Sequence, residues 1–82
     1  MFVVYILQGS LGRHYIGMTN NLERRLFEHR SGHTHSTRRL GGELKLVASR
    51  GFATREEARQ CELLMKAWKN PGKAIEFLNR VG

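Results

Sequence analysis

Apolar residues along the chain follow two periods, and these predict most of its secondary structure. Residues 2–8, FVVYILQ, form a nearly continuous apolar and β-branched run, which predicts a strand buried on most of both faces. Turn-forming residues occupy positions 9–12, and residues 14–18 predict a second short strand that forms a hairpin with the first. Residues 44–52, LKLVASRGF, alternate well enough to predict a third strand that completes the sheet.

One helix is predicted before the third strand in the sequence and another after it. The first spans residues 22–30 and follows N-cap candidates at residues 19–21. The second spans residues 55–68 and begins with the sequence TREE at residues 54–57, which matches a capping box. Residues 33–42 have no periodicity, so we expect a basic, mobile loop between the first helix and the third strand.

A third, short helix is predicted at the end of the chain. The break at residues 70–72, Asn-Pro-Gly, separates it from the second helix, and residues 73–81 place four apolar side chains on one face. The element order is therefore β-β-α-β-α-α. This order predicts an α/β (α+β) fold, in which a small three-stranded antiparallel sheet is flanked by helices and residues 1–82 form a single domain.

The charge of the chain indicates a polyanionic partner. Formal net charge is +7, and ten Arg stand against four Lys. The planar fork of arginine favours bidentate recognition of phosphate, so nucleic acid is the partner that this balance favours. A membrane surface is less favoured, because no helix carries its basic residues on one side only.

Other classes of protein are excluded by length and cysteine content. The apolar run at the start of the chain is seven residues long, which is too short to span a membrane, and we expect no membrane association. The single Cys61 cannot form an internal disulfide and excludes zinc sites built on two or more cysteines. We therefore expect a reducing, cytoplasmic location.

Helical geometry separates the charged residues of the first helix. At roughly 100° per residue, Arg25 and His29 flank the apolar stripe of Leu22 and Leu26. Arg24 points away from that stripe, towards solvent. Arg25 is thus predicted to lie over the sheet, within reach of a ligand or a tyrosine.

The second helix places a carboxylate beside its apolar face. Glu62 lies at the edge of that face, where it must be paired, hydrated or bound to a cation because burying it alone is costly. A salt bridge to Lys66 or Arg59 is the ordinary alternative. The apolar face itself comprises Ala58, Cys61, Leu64, Met65 and Trp68.

Two tyrosines lie on predicted strands, where cross-strand contact between them is expected. Strand alternation places Tyr5 on one face of the first strand and Tyr15 with Gly17 on one face of the second. Gly17 leaves space beside them, for close backbone packing or for approach of a ligand. Taken alone, such tyrosines are more often core residues than catalysts. His33 and His35 form an H-x-H pair, which is weak evidence for a metal site.

The joint spacing of these residues resembles the GIY-YIG nuclease superfamily over nearly the whole chain. VVY at residues 3–5 stands where the family has GIY, and YIG at residues 15–17 matches fully. TNNLERRLFEH at residues 19–29 resembles the segment that carries the family's arginine and histidine. REEARQCELLMK at residues 55–66 is similar to the helix that carries its glutamate. The resemblance is closest to the small stand-alone bacterial members. Asn70 and Asn79 are candidates for the asparagine that some members use.

The resemblance implies a metal-dependent endonuclease that hydrolyses phosphodiester bonds in DNA. Glu62 would hold one Mg²⁺ or Mn²⁺, and Arg25 would clamp the scissile phosphate. Tyr5 is the first choice as general base, with His29 accepting or orienting its proton. Tyr15 would then position the water or the phosphate, and Gly17 would have a structural role.

DNA is the expected partner, with contacts to its backbone from arginines outside the catalytic set. Selection by DNA structure, such as flaps, branches or single strands, is expected, and cutting two strands would need a partner protein or a homodimer. A catalytically inactive nucleic-acid-binding module of the same fold is the alternative, and an interaction domain without nucleic-acid binding is a third. The arginines expected to contact DNA are Arg13, Arg24, Arg30, Arg38 and Arg39.

Overall fold

The computed structural model describes residues 1–31 and 43–80, and there it confirms the predicted α+β class and element order. Every predicted element is present, three of them with the expected ends and the others with ends that differ by at most two residues. Each helix in these ranges falls short of the length and hydropathy that crossing a bilayer requires. The elements are β1 (Phe2–Gly9), β2 (His14–Thr19), α1 (Leu22–Arg30), β3 (Leu44–Phe52), α2 (Arg55–Trp68) and α3 (Pro71–Arg80).

The three strands form an antiparallel sheet in the order β2-β1-β3, with β1 in the centre. In the β1-β2 hairpin, Tyr5 pairs with Gly17 and Leu7 pairs with Tyr15. Because paired residues share one face of a sheet, both tyrosines lie on the same face as diagonal neighbours. The register therefore places Gly17, and not Tyr15, directly opposite Tyr5.

The side chains on the two faces of β1 pack against different parts of the molecule. Val4 and Ile6 point to the side covered by α2 and α3, where they form the main apolar core. Tyr5 and Leu7 point to the other side and are equally buried, as the continuous apolar run predicts. Each large apolar side chain buried in this way contributes about 1.5–3 kcal/mol to stability. The remaining members of the core are Ala48, Ala58, Cys61, Met65, Ala74 and Leu78.

The predicted break between α2 and α3 is confirmed, but α3 begins two residues earlier than expected, at Pro71 within the break itself. α3 starts at Pro71, and the Asn70 side chain caps it by accepting a hydrogen bond from the backbone N–H of Lys73 at 3.1 Å. Proline suits a first helical position, since its missing N–H would have no partner there. The separation from α2 comes instead from Lys69, which adopts a left-handed conformation with φ of 52°. Val81 lies outside the described residues.

α2 begins as predicted, but its buried face is narrower than expected. The Thr54 hydroxyl accepts a hydrogen bond from the N–H of Glu57 and donates one to the Glu57 carboxylate. Leu64 is 48% exposed, so its assignment to the apolar face was wrong. Trp68 at the end of that face is half-buried and packs edge-on against Phe77 of α3, with ring centroids 5.3 Å apart.

Candidate active site

The Tyr5 hydroxyl lies at the centre of the candidate site. The side chain extends from the central strand β1 and is fully buried. Its Oη lies 2.8 Å from Nε2 of His29, a residue of α1 that is buried as well. Arg25, one helical turn before His29, lies close enough to this hydroxyl to lower its pKa. One phenol therefore joins the sheet to both functional side chains of α1.

Tyr15 completes a group of three rings, which we call the ring cluster (Tyr5, Tyr15 and His29). The centroid of Tyr15 lies 6.2 Å from that of Tyr5 and 5.2 Å from that of His29. Arg25 lies close enough to both tyrosines for each of them to raise its pKa. The four side chains that the sequence singled out in the first half of the chain thus lie together.

Gly17 is required by the close approach of the Tyr5 ring. A Cβ atom built at this position would lie 2.6 Å from Tyr5 Oη and 2.8 Å from Cε2 of Tyr15. Gly17 belongs to β2, a strand at the edge of the sheet, so the phenol of Tyr5 reaches across β2. Of the two uses for the space beside Gly17, the structure favours close packing of the tyrosines.

Tyr5 and His29 are uncharged at neutral pH. Burial raises the pKa of Tyr5 to about 12, an effect that the hydrogen bond from Arg25 opposes and that Tyr15 and Glu62 reinforce. Burial, and then the charge of Arg25, lower the pKa of His29 below its ordinary value. A neutral imidazole carries one unprotonated nitrogen. With that nitrogen at Nε2, the Tyr5 O–H donates to His29.

Arg25 is held in place by an acidic residue that the sequence reasoning missed. Its Nη1 lies 3.1 Å from Oε1 of Glu28, and Arg24 Nε lies 3.5 Å from the other carboxylate oxygen. Arg25 lowers the pKa of Glu28, and its hydrogen bond to Tyr5 raises the pKa of Arg25 itself. The Arg24 side chain is 76% exposed and that of Arg25 only 35%, in agreement with the helical geometry. The i,i+3 and i,i+4 spacing could have identified Glu28.

Glu62 lies close enough to the ring cluster for its charge to raise the pKa of Tyr5. Its side chain is 13% exposed, and its Oε2 lies 3.1 Å from Nζ of Lys66. This is the ion pair that the i,i+4 spacing offered as the ordinary alternative. Within residues 1–31 and 43–80, no group of three or more His, Cys, Asp or Glu side chains is arranged to hold a metal ion.

The other predicted DNA-binding arginines lie away from the ring cluster or outside the described residues. Arg13 is exposed in the hairpin turn, just before His14 pairs with Gln8. Arg30 is the exposed last residue of α1. Their contact with DNA remains a prediction. The loop predicted at residues 33–42 is not described, and neither are Arg38, Arg39, His33 and His35, which belong to it.

Both candidate asparagines have structural partners. Asn70 caps α3, and Nδ2 of Asn79 donates to the carbonyl oxygen of Val47 in β3 at 3.4 Å. Both side chains therefore have a structural role in the fold. Neither residue extends the ring cluster.

Comparison with known proteins identifies the domain that carries this arrangement. Residues 1–75 match the GIY-YIG catalytic domain. The chain belongs to the GIY-YIG family. A GIY-YIG domain is of nuclease type, and the chain retains the tyrosine of the family's first motif at Tyr5 although Val3 and Val4 replace its Gly and Ile.

The relatives of this GIY-YIG chain are small bacterial proteins. A UPF0213 protein of Streptococcus pneumoniae serotype 4 is 41% identical over 76 residues, which cover 93% of this chain and 76% of the relative. A UPF0213 protein of Bacillus pumilus is 36% identical over 71 residues, covering 87% and 72%. The solution NMR structure of the UPF0213 protein BH0048 from Bacillus halodurans is similar, with a TM-score of 0.52 and 37% identity. That match covers 82% of this chain and 72% of the other.

Proposed function

We propose that the protein is a divalent-metal-dependent DNA endonuclease that hydrolyses phosphodiester bonds in the bacterial cytoplasm. The observation that carries this proposal is the Tyr5 hydroxyl, which is hydrogen-bonded to His29 and has its pKa shifted by Arg25 and Glu62. A buried phenol between a neutral imidazole and a guanidinium is suited to proton transfer beside a phosphate.

Tyr5 acts as the general base through a relay to His29. A phenol with a pKa near 12 is not ionised at neutral pH, so it cannot act alone. As the attacking water loses its proton to Tyr5 Oη, the phenolic proton passes to Nε2 of His29 over 2.8 Å. The phenol is restored and the imidazole becomes imidazolium. Burial disfavours that charge, so His29 must release the proton before the next cycle.

Arg25 binds the scissile phosphate and stabilises the charge that develops on its oxygens. Its bond to Glu28 fixes one side of the guanidinium, and its interaction with Tyr5 and Tyr15 places the group beside the base. Planar, prepositioned donors of this kind stabilise a phosphoryl transition state without reorganising during the reaction. Tyr15 positions the phosphate or the water.

The residues present fit one hard cation at Glu62. Mg²⁺ and Mn²⁺ favour carboxylate oxygen, and Mg²⁺ keeps several of its waters, so one carboxylate is sufficient as the protein ligand. The described chain has no group of three or more His, Cys, Asp or Glu side chains placed to hold a metal ion. When bound, the ion would supply Lewis-acid stabilisation of phosphate charge. Lys66, which now neutralises Glu62, would have to move aside.

We infer selection by DNA structure. Exposed arginines such as Arg24 contact phosphates, and phosphate contacts carry little sequence information. The described chain holds one ring cluster, which serves one strand at a time. A second copy or a partner protein is then needed to cut both strands of a duplex.

A catalytically inactive nucleic-acid-binding module is the second candidate. The Glu62–Lys66 ion pair favours it, because that pair accounts for the carboxylate without a metal. Both candidates predict DNA binding that weakens with salt. Only the nuclease predicts strand scission.

Nicking assays on supercoiled plasmid and on branched oligonucleotides, with Mg²⁺ or Mn²⁺, separate the two. We expect wild type to nick, and Glu62→Ala, Arg25→Ala and Tyr5→Phe to lose about 10²-fold or more in rate. Glu56→Ala, an exposed change in the first turn of the same helix, is the matched control and should nick normally. Binding by wild type without nicking under either metal would leave only the binding module.

A further inference from the structure

A polar cavity of about 350 Å³ lies between the start of α1 and the start of α2. Three arginines line it, Arg24 and Arg25 from α1 and Arg55 from α2. A water molecule occupies about 30 Å³ of liquid. The cavity is therefore large enough for a phosphate group with several of its waters. We call it the arginine pocket.

The arginine pocket has a positive charge that internal pairing leaves uncompensated. Glu28 is the one acidic residue among the residues that line it, and it already bonds to both Arg24 and Arg25. Arg55 has no ion pair or side-chain hydrogen bond with the part of the chain that the structure describes. Three guanidinium groups around one carboxylate favour an anion, and their planar forks match phosphate geometry.

The arginine pocket adjoins the ring cluster through one shared side chain. Arg25 lines the pocket and also interacts with Tyr5 and Tyr15 of the ring cluster. An anion in the pocket and a scissile phosphate at the ring cluster would thus both contact Arg25. The distance between these two groups is therefore limited to what one guanidinium group can bridge.

We propose that the arginine pocket binds the phosphate next to the scissile one on the cleaved strand, with Arg55 as a positioning residue. The proposal rests on the proposed nuclease function. Successive phosphates of one strand are joined through a single sugar and are the nearest neighbours among the phosphates of a duplex. Phosphates of the opposite strand lie across a groove about 6 or 12 Å wide. The shared Arg25 therefore selects a neighbour on the same strand.

A binding experiment with neutralised phosphates tests this assignment. A branched DNA that wild type nicks would be synthesised with single methylphosphonates at each position flanking the mapped cut. Affinity would be measured by fluorescence anisotropy in EDTA, which prevents cleavage. The variant is Arg55→Gln, and the matched control is Arg59→Gln, an exposed arginine one turn further along α2 that does not line the pocket. Circular dichroism would establish that both variants are folded.

Arg55→Gln should bind unmodified DNA about tenfold more weakly than wild type, as expected for loss of one charged hydrogen bond. The slope of log affinity against log salt should fall by about 1. A methylphosphonate beside the cut should weaken wild type by a similar factor but should not weaken Arg55→Gln further. Arg55→Lys keeps the charge without the fork and should be intermediate. During cleavage, KM should rise for Arg55→Gln while kcat stays near that of wild type.

The outcomes separate this inference from the proposed function. If Arg55→Gln and Arg59→Gln had equal DNA affinities and equal salt slopes while wild type still nicked DNA, only the proposal for the arginine pocket would be overturned. The same holds if every methylphosphonate costs Arg55→Gln as much as it costs wild type. Wild type that binds without nicking would overturn the nuclease, and the salt slopes of the two variants would still decide the pocket. Absence of any DNA binding would overturn both.

Discussion

Replacing Gly17 by alanine should disrupt the ring cluster. The new Cβ would lie 2.6 Å from Tyr5 Oη and 2.7 Å from its Cζ. Carbon atoms in contact prefer about 3.5 Å or more, so the ring must shift by about 1 Å. The bond between Tyr5 and His29 is 2.8 Å long, and hydrogen bonds from hydroxyl groups weaken beyond about 3.0 Å.

The expected cost of Gly17→Ala is about 2 kcal/mol of unfolding free energy, the middle of the range for overpacking a close-packed interior. For a domain of this size, that corresponds to a fall in Tm of roughly 8–16 °C. Because misplacing a catalytic group by about 1 Å can cost 10²-fold in rate, nicking should fall by a similar factor.

Calorimetry and the nicking assay would measure these two effects. Gly72→Ala is the control, because the nearest atom to its added Cβ lies at 3.6 Å, an ordinary contact. It should leave nicking unchanged and Tm equal or slightly higher, since alanine favours a helix. If Gly17→Ala matched this control in both assays, the packing of Tyr5 over Gly17 would be refuted.

Three further changes probe the histidine, the ion pair and the helix cap. The lowered pKa of His29 means that the unfolded state binds a proton more readily as pH falls below about 6.5, so Tm should fall there, and should fall less in His29→Gln than in His14→Gln. Lys66→Gln removes the cation that pairs with Glu62 and should tighten Mn²⁺ binding measured by electron paramagnetic resonance; equal or weaker binding would contradict competition at the carboxylate. Thr54→Ala removes the cap of α2 and should lower the unfolding free energy by about 1 kcal/mol in urea titrations, whereas no change would show that the cap is dispensable.

Local sequence patterns predicted the strands and helices because each of them is specified by residues that lie close together in the chain. The apolar run of β1, the capping box at Thr54 and the strand alternation of β3 all depend on neighbours within a few residues. The exception was Pro71, where the same residue type that breaks a helix interior also begins a helix. Propensity alone does not decide between these two roles.

The candidate site was predictable where periodicity fixed the direction of a side chain, as for Arg25 and His29. It was not predictable where the position depends on how separate elements pack. Nothing local to α2 brings Arg55 beside Arg24, because their approach depends on the packing of α1 and α2 around the sheet. The exposure of Leu64 has the same origin, since the width of a buried face depends on the surface opposite it.

The burial of His29 has a consequence for motion. It is the one fully buried residue of α1, and its bond to Tyr5 and its contact with Tyr15 help to attach this helix to the sheet. Elements with few buried apolar contacts open locally at lower free energy than the core. Hydrogen exchange should therefore reach the amides of α1 before those of β1. Each such opening separates His29 from Tyr5 and interrupts the proposed proton relay between them. The relay is restored when this one short helix docks again, while the rest of the molecule stays folded.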